Sequence, residues 1–266
     1  MLPPPDYSGA IDDIVAGLRM REIWGRMGWA EAKRRYRRTV IGPFWSSLSM
    51  AIFVVSLSIV WSQLWKIDPK EYVPYLTSGL MVWTFFSTCI TEGCGVFVAS
   101  ENLIKQLRIS YTMLVCILIW RNIIVLLHNF AIYILVVLFA HVPVTWATLL
   151  ALPALALLCI NIIWIAIVLG MFCARYRDIQ QIIVSFLQVA LFVTPILWSP
   201  AQLTGRAVYI VDYNLLYHYI EILREPLMGK APSLWSWFMV LMSTIVGWGV
   251  TLFLYGRFRR RIAYWV

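Results

Sequence analysis

Charged side chains are scarce in this sequence. They make up 13% of its 266 residues, against about a quarter in an ordinary water-soluble domain. Hydrophobic residues make up 61% and the mean hydropathy is +0.78, so lipid must solvate much of the surface. The net charge of +9 does not indicate nucleic acid, because the basic residues sit at the edges of apolar runs and build no broad basic face.

Catalytic and cofactor motifs are missing too. No GxxxxGK[ST] phosphate loop occurs, and no GxGxxG opens a helix after a strand, so the chain has no standard means of holding ATP. HExxH and GxSxG are absent, which removes the common zinc-hydrolase and serine-hydrolase signatures. His128, His141 and His218 are scattered, and the five cysteines, Cys89, Cys94, Cys116, Cys159 and Cys173, lie in or at the ends of apolar runs without paired spacing. They read as small buried hydrophobes rather than a disulfide framework or metal site. No secretory signal is expected, since a long charged lead precedes the first apolar run near Val40. If the protein moves a substrate uphill, the energy comes from another chain.

What is present is a series of apolar runs long enough to cross a bilayer, which takes about 20 residues each. Six are expected: Val40–Trp65, Val73–Ala99, Thr112–Ala140, Trp146–Ala174, Ile179–Trp198 and Leu234–Tyr255. The fold class is therefore all-α membrane protein. Residues 1–39 form a cytoplasmic N-terminus and residues 40–266 a six-span domain. "HVPVTW" makes spans three and four a tight hairpin broken at Pro143.

Lysine and arginine set the sidedness. Arg34, Arg35, Arg37 and Arg38, then Lys105 and Arg108, Arg175 and Arg177, and Arg257 to Arg261 flank one set of span ends. Lys66, Lys70, Arg206, Arg224 and Lys230 on the other side are matched by nearby acids. Both termini are expected in the cytoplasm. Ahead of the first span, Ile11, Ile14, Val15 and Leu18 recur at helical spacing with Asp12, Asp13 and Arg19 between them. Ile23, Trp24 and Met27 continue the pattern, with Gly25 and Gly28 as breaks. This reads as an amphipathic helix on the membrane surface or packed on a partner.

Polar residues within the spans carry the functional information. In the first span Trp45, Ser49, Phe53, Ser56, Val60 and Gln63 recur every three or four residues, and so share one face. In the fifth, Gln181, Ser185, Gln188, Phe192 and Pro195 do the same, and in the second Thr77, Thr84, Thr88, Thr91 and Gly95. Two readings fit such stripes: close helix packing through small residues, or a wet lining. For the threonine stripe packing is favoured. For the first and fifth spans lining is favoured, because glutamine toward lipid is costly and interleaved aromatics suit sugar rings. Glu92 and Arg121 are charges inside spans, and an ion pair between them is expected, the alternative being a snorkelling Arg121 with Glu92 hydrated or protonated. Asn122, His128, Asn129 and Asn161 are expected to bond spans three and four together.

Two loops, "SENLIKQLRISYTML" between spans two and three and "CARYRDIQQII" between spans four and five, and one long segment complete the pattern. "SENLIKQLRISYTML" sets Leu103, Ile104 and Leu107 among Asn102, Lys105 and Arg108, a short amphipathic helix suited either to docking a soluble partner or to anchoring by its charge. "DYNLLYHYIEILREPLMG" has helical spacing at Leu215, Leu216, Tyr219, Ile222 and Leu223, ended by Pro226 and Gly229. With Ser199–Ser233 it is expected to form short re-entrant or surface-lying helices between spans five and six.

The run "RRYRRTVIGPFWSSLSMAI", the loop "FCARYRDIQQII" and the segment "VDYNLLYHYIEILREPLMG" together resemble the membrane subunit of ABC exporters for polysaccharides, the O-antigen, capsule and teichoic-acid class. Leu215 stands where that family usually has proline. The resemblance implies a homodimer in the bacterial inner membrane, with two copies of a separate ATPase subunit that bind ATP and Mg. It implies a lipid-linked polysaccharide substrate, O-antigen first, and a coupling helix near Asn102–Tyr111. Spans one and five would bound the sugar channel, Tyr36–Trp45 would gate its inner mouth, and the helices between spans five and six its outer mouth. Arg34, Arg35, Arg37 and Arg38 then carry two readings, topology anchor or fork-shaped donors to a pyrophosphate headgroup. An exporter of drugs or lipids and a membrane-embedded enzyme acting on lipid-linked sugars are the alternatives.

Overall fold

The computed structural model describes residues 5–37, 44–200 and 208–266. Arg38, Arg206 and the first residues of the span expected from Val40 lie outside the described residues. Every regular element among them is helical. The chain opens with α1 (Tyr7–Arg19) and α2 (Arg21–Tyr36) and continues into α3 (Phe44–Trp65) and α4 (Pro69–Cys94). Short α5 (Val96–Ala99) and α6 (Glu101–Gln106) lead to α7 (Tyr111–Ala140). A 3-10 turn, Trp146–Leu150, precedes α8 (Ala151–Arg175), followed by α9 (Ile179–Val193), α10 (Val208–Asp212) and α11 (Leu215–Leu227). The chain closes with α12 (Leu234–Phe258) and, after the turn Arg259–Arg261, α13 (Ile262–Trp265).

Among the described residues five helices are long and apolar enough to cross a membrane: α3, α4, α7, α8 with its leading turn, and α12. The expected fifth span is shorter than its apolar run. The helix α9 has 15 residues, about 22 Å at 1.5 Å per residue, and stops at Val193. Pro195 is the cause, because a residue before proline avoids the α region. Thr194 is extended at φ −79°, ψ 137°, and Thr194 to Leu197 are buried as a turn.

The helix α4 is the axis of the bundle and packs on α3, α7, α8, α9 and α11. Asp68 caps it by accepting from the Lys70 N–H at 2.9 Å, and Pro69 costs nothing in its first turn. Near the other end, Gly93 admits α8: a Cβ there would stand 2.9 Å from the Ala166 Cβ. The hairpin between α7 and α8 forms as expected, with His141 left-handed at φ 54° and Pro143 beyond it.

The N-terminal helices differ from expectation. The chain bends at Met20, and α2 runs unbroken through Gly25 and Gly28. Gly28 is there for approach: a Cβ would meet Trp120 Cδ1 at 2.9 Å and the Ile117 carbonyl oxygen at 3.0 Å on α7. In α1 the exposed stripe is Ile11, Val15 and Leu18, whereas Ala10, Asp13, Ile14 and Gly17 are buried against the bundle. Asp13 thus belongs to the packed face.

The helix α11 is not surface-lying. Asn214 starts α11 by accepting from the Leu216 and Tyr217 N–H groups at 3.0 and 3.2 Å. The helix then packs among α4, α8 and α12, with Tyr219, Ile220, Ile222, Leu223 and Arg224 buried. Pro226 lies inside its last turn, and Gly229 turns the chain at φ +77°. The intramembrane amides also choose other partners than expected. Asn122 donates to Glu92 on α4 at 2.6 Å, and Asn129 accepts from Ser47 on α3 at 2.9 Å. Asn161 donates to Thr244 on α12 at 2.8 Å, and His128 meets its own helix at the Ile124 carbonyl, 2.6 Å away. These amides join α7 to α3 and α4, and α8 to α12, rather than α7 to α8.

Candidate transport pathway

The two polar–aromatic stripes face away from the chain's own bundle. On α3, Trp45, Ser49, Phe53, Ser56, Val60 and Gln63 are all exposed, while Ser47, Met50, Val54, Ser58 and Ser62 turn inward. The inward face packs on α4 and α7. On α9, Gln181, Ser185, Gln188 and Phe192 are exposed, while Leu187 and Ala190 are buried. Pro195 does not share that face. It is buried, and its carbonyl accepts from the Tyr75 hydroxyl at 3.1 Å and from Arg224 Nη1 at 2.7 Å. The structure does not bring the two stripes together within the chain: α9 packs on α4 and α8. Each presents hydrogen-bonding groups and aromatic rings outward.

The threonine stripe of α4 divides. Thr77 is buried and donates to the Val73 carbonyl at 2.7 Å, so it serves packing. Thr84 and Thr88 instead line a cavity of about 140 Å³ with Tyr36, Ser46, Asn122 and Asn129.

Where α2 meets α4 and α7, four charges interlock. Arg121 Nη2 lies 2.7 Å from Glu92 Oε2, and Arg121 Nη1 pairs with Glu31. Arg35 Nη1 takes the second Glu92 oxygen at 3.0 Å, and Asn122 Nδ2 completes the shell. Glu92 is therefore compensated by two arginines, and Arg121 by two carboxylates. That is the arrangement which lets charge persist in an apolar bundle. Arg34 lines an open pocket beside the same four residues. Arg37 is exposed and Tyr36 half-buried at the end of α2, and Arg38 lies outside the described residues. Glu31 was the missed partner. Its signal is modest: it is the one acid between Met27 and Arg38.

The short helix α6 keeps part of its expected surface. Asn102, Lys105, Leu107 and Arg108 are exposed, with Lys105 Nζ 2.6 Å from Glu101. Leu103 is half-buried. Ile104 turns inward into the core, so it anchors the helix rather than offering it to a partner. Among the described residues no group of three or more His, Cys, Asp and Glu side chains is placed to hold a metal.

The sequence profile of the ABC-2 type transporter family matches residues 24–228, from α2 through α11. The chain belongs to that family. As an ABC-2 type permease it is a multi-pass membrane transport subunit rather than an enzyme, and it works with a separate ATPase. The chain is 21% identical over 200 residues to a protein named O-antigen export system permease protein RfbA from Klebsiella pneumoniae, covering 75% of this chain and 77% of that one. A protein of the same name from Myxococcus xanthus is 22% identical over 174 residues, covering 63% of this chain and 65% of its own length. The family match contains both stripes, the charge network and the α6 loop. It leaves out α1 and α12, which the bundle itself holds in place.

Proposed function

We propose that this ABC-2 permease exports a lipid-linked polysaccharide, O-antigen foremost, across the bacterial inner membrane. In this reading it is a homodimer with two copies of the separate ATPase, which bind ATP and Mg, beneath it. Both termini are cytoplasmic, and α9 with the turn after it completes a sixth crossing. The stripes of α3 and α9 then come from two protomers to bound one conduit. Its inner mouth lies at the end of α2, and α10 and α11 gate its outer mouth.

One observation carries the reading. Gln63, Gln181 and Gln188 point outward on faces shared with Trp45, Phe53 and Phe192. Amides directed at acyl chains are costly, whereas a conduit for sugars uses both amides and rings. The names of the relatives point the same way. At the inner mouth, Arg34 and Arg37 are exposed donors of the kind that bind pyrophosphate in pairs, while Arg35 is committed to Glu92 in the state described.

Deleting the gene in its host and following surface polysaccharide tests the proposal. Loss of surface glycan with accumulation of lipid-linked glycan inside the cell is expected, restored by the wild-type chain. Arg34→Lys and Arg37→Lys keep the charge but lose the fork, and reduced export is expected from them. Unaltered surface glycan in the deletion strain would overturn the reading.

A further inference from the structure

The most densely bonded acid in the structure lies outside both the stripes and the charge network. Asp13, on α1, is 6% exposed. Its carboxylate accepts from the Tyr111 and Thr112 N–H groups, each at 3.2 Å. It also accepts from the Ser110 and Thr112 hydroxyls, each at 3.0 Å. The Tyr255 hydroxyl on α12 donates to it at 2.6 Å, and Arg259 Nη1 stands 3.6 Å away. The Ser110 hydroxyl lies 2.8 Å from the Asp13 carbonyl oxygen as well. One carboxylate thus closes the start of α7, where free N–H groups and the helix dipole favour an anion, and fastens it to α1 and α12.

The neighbouring packing reinforces the junction. One turn along α1, Gly17 lets the backbones touch: a Cβ there would fall 2.6 Å from Ser110 Oγ and 2.8 Å from the Met113 nitrogen. Ser110 follows α6 after only Leu107, Arg108 and Ile109. On the far side, α13 packs on α6 and α8 with Ile262 fully buried. A displacement of α6 therefore meets a joint that ties it to α1 and to the end of α12. A densely bonded buried network resists partial opening, because each freed group would be left without a partner.

We propose that Asp13 is the positioning residue that makes α1, the segment from α6 into α7, and the end of α12 move as one unit when the ATPase acts on α6. The proposal rests on the reading of α6 as the helix that meets the ATPase. Asp13 touches no substrate. It converts a push on a six-residue helix into movement of α1, with its exposed Ile11, Val15 and Leu18, and of the last span.

The test uses the permease assembled with its ATPase in lipid nanodiscs, with spin labels at Ile11→Cys and Lys105→Cys in a cysteine-depleted background. The unmutated joint gives one narrow label distance that is the same before and after ATP–vanadate trapping. Asp13→Asn is expected to broaden that distance, to let it change on trapping, and to lower transport per ATP hydrolysed, because a charge-assisted acceptor is lost from the joint. Tyr255→Phe, which removes one donor and keeps the ring, gives a smaller change in the same direction, and it decides the matter should Asp13→Asn fail to assemble. A narrow, unchanged distance with normal transport per ATP in the variant that assembles overturns the joint. Cross-linking from Lys105→Cys to the ATPase checks the underlying reading separately. Its absence in the otherwise unmutated complex removes the coupling role of α6, whereas its presence beside an unaltered Asp13→Asn distance removes only the joint.

Discussion

The guanidinium of Arg224 lies 4.1 Å from the centroid of the Tyr75 ring. The arginine is 1% exposed, pairs with Glu221 one turn back on α11, and donates to the Pro195 carbonyl at 2.7 Å. It therefore ties α11 to α4 and to the turn that ends α9. A charge this deep persists because cation, ring, carboxylate and carbonyl act together.

Removing that cation alone leaves Glu221 half of a broken pair. Arg224→Met is expected to lower stability by about 3–5 kcal/mol, the usual cost of breaking a buried pair from one side. The double variant Arg224→Met with Glu221→Gln should lose less than Arg224→Met alone. Thermal unfolding of the detergent-purified protein reads both, and a double variant no more stable than Arg224→Met would contradict the stranding of Glu221.

The network around Arg121 gives a second expectation. Arg121→Leu strands Glu31 and leaves Glu92 with Arg35 as its one cation, whereas Glu31→Gln leaves Arg121 paired with Glu92. The arginine variant should therefore be the less stable. A cycle of Glu92→Gln and Arg121→Leu should show a coupling of about 0.5–3 kcal/mol, the range for residues in contact. Additive losses would mean that the contacts do not hold the helices together.

Acid should loosen the N-terminus. Asp6 accepts from the Gly9 N–H at 3.0 Å and pairs with Arg259 and Arg260. These contacts, the Gly9 N–H foremost, hold its carboxyl below the ordinary value of 3.8. A carboxyl depressed in the folded state stabilises the fold above its unfolded pKa, and that contribution fades as pH falls through the folded value. Protease cleavage near Tyr7 should be unchanged between neutral pH and about pH 5 and should rise below the ordinary carboxylate range. Asp6→Asn should cleave faster at neutral pH and lose that dependence.

Long apolar runs and helical spacing made the bundle and the outward stripes of α3 and α9 legible, because both are properties of a single helix. What escaped the sequence depends on partners far along the chain. Asp12 and Asp13 are adjacent and chemically alike. Only the approach of Ser110, Thr112 and Tyr255 makes the second the buried one. Glycine reads as a break, yet Gly28 lets α2 touch Trp120, and the bend falls at Met20 instead. The apolar run Ile196–Trp198 continues the composition of a span after Pro195 has ended its geometry. Ser47 meeting Asn129, and Asn161 meeting Thr244, are choices made by packing, which spacing along one helix does not encode.

The account is tested most directly by photo-cross-linking from the two stripes in the ATP-driven complex supplied with labelled lipid-linked glycan. A benzophenone residue at Phe53 or Phe192 is predicted to capture glycan during export, and one at Phe139 or Ile245, exposed on other helices, only phospholipid. Capture of phospholipid alone at all four positions, while export proceeds, would contradict it.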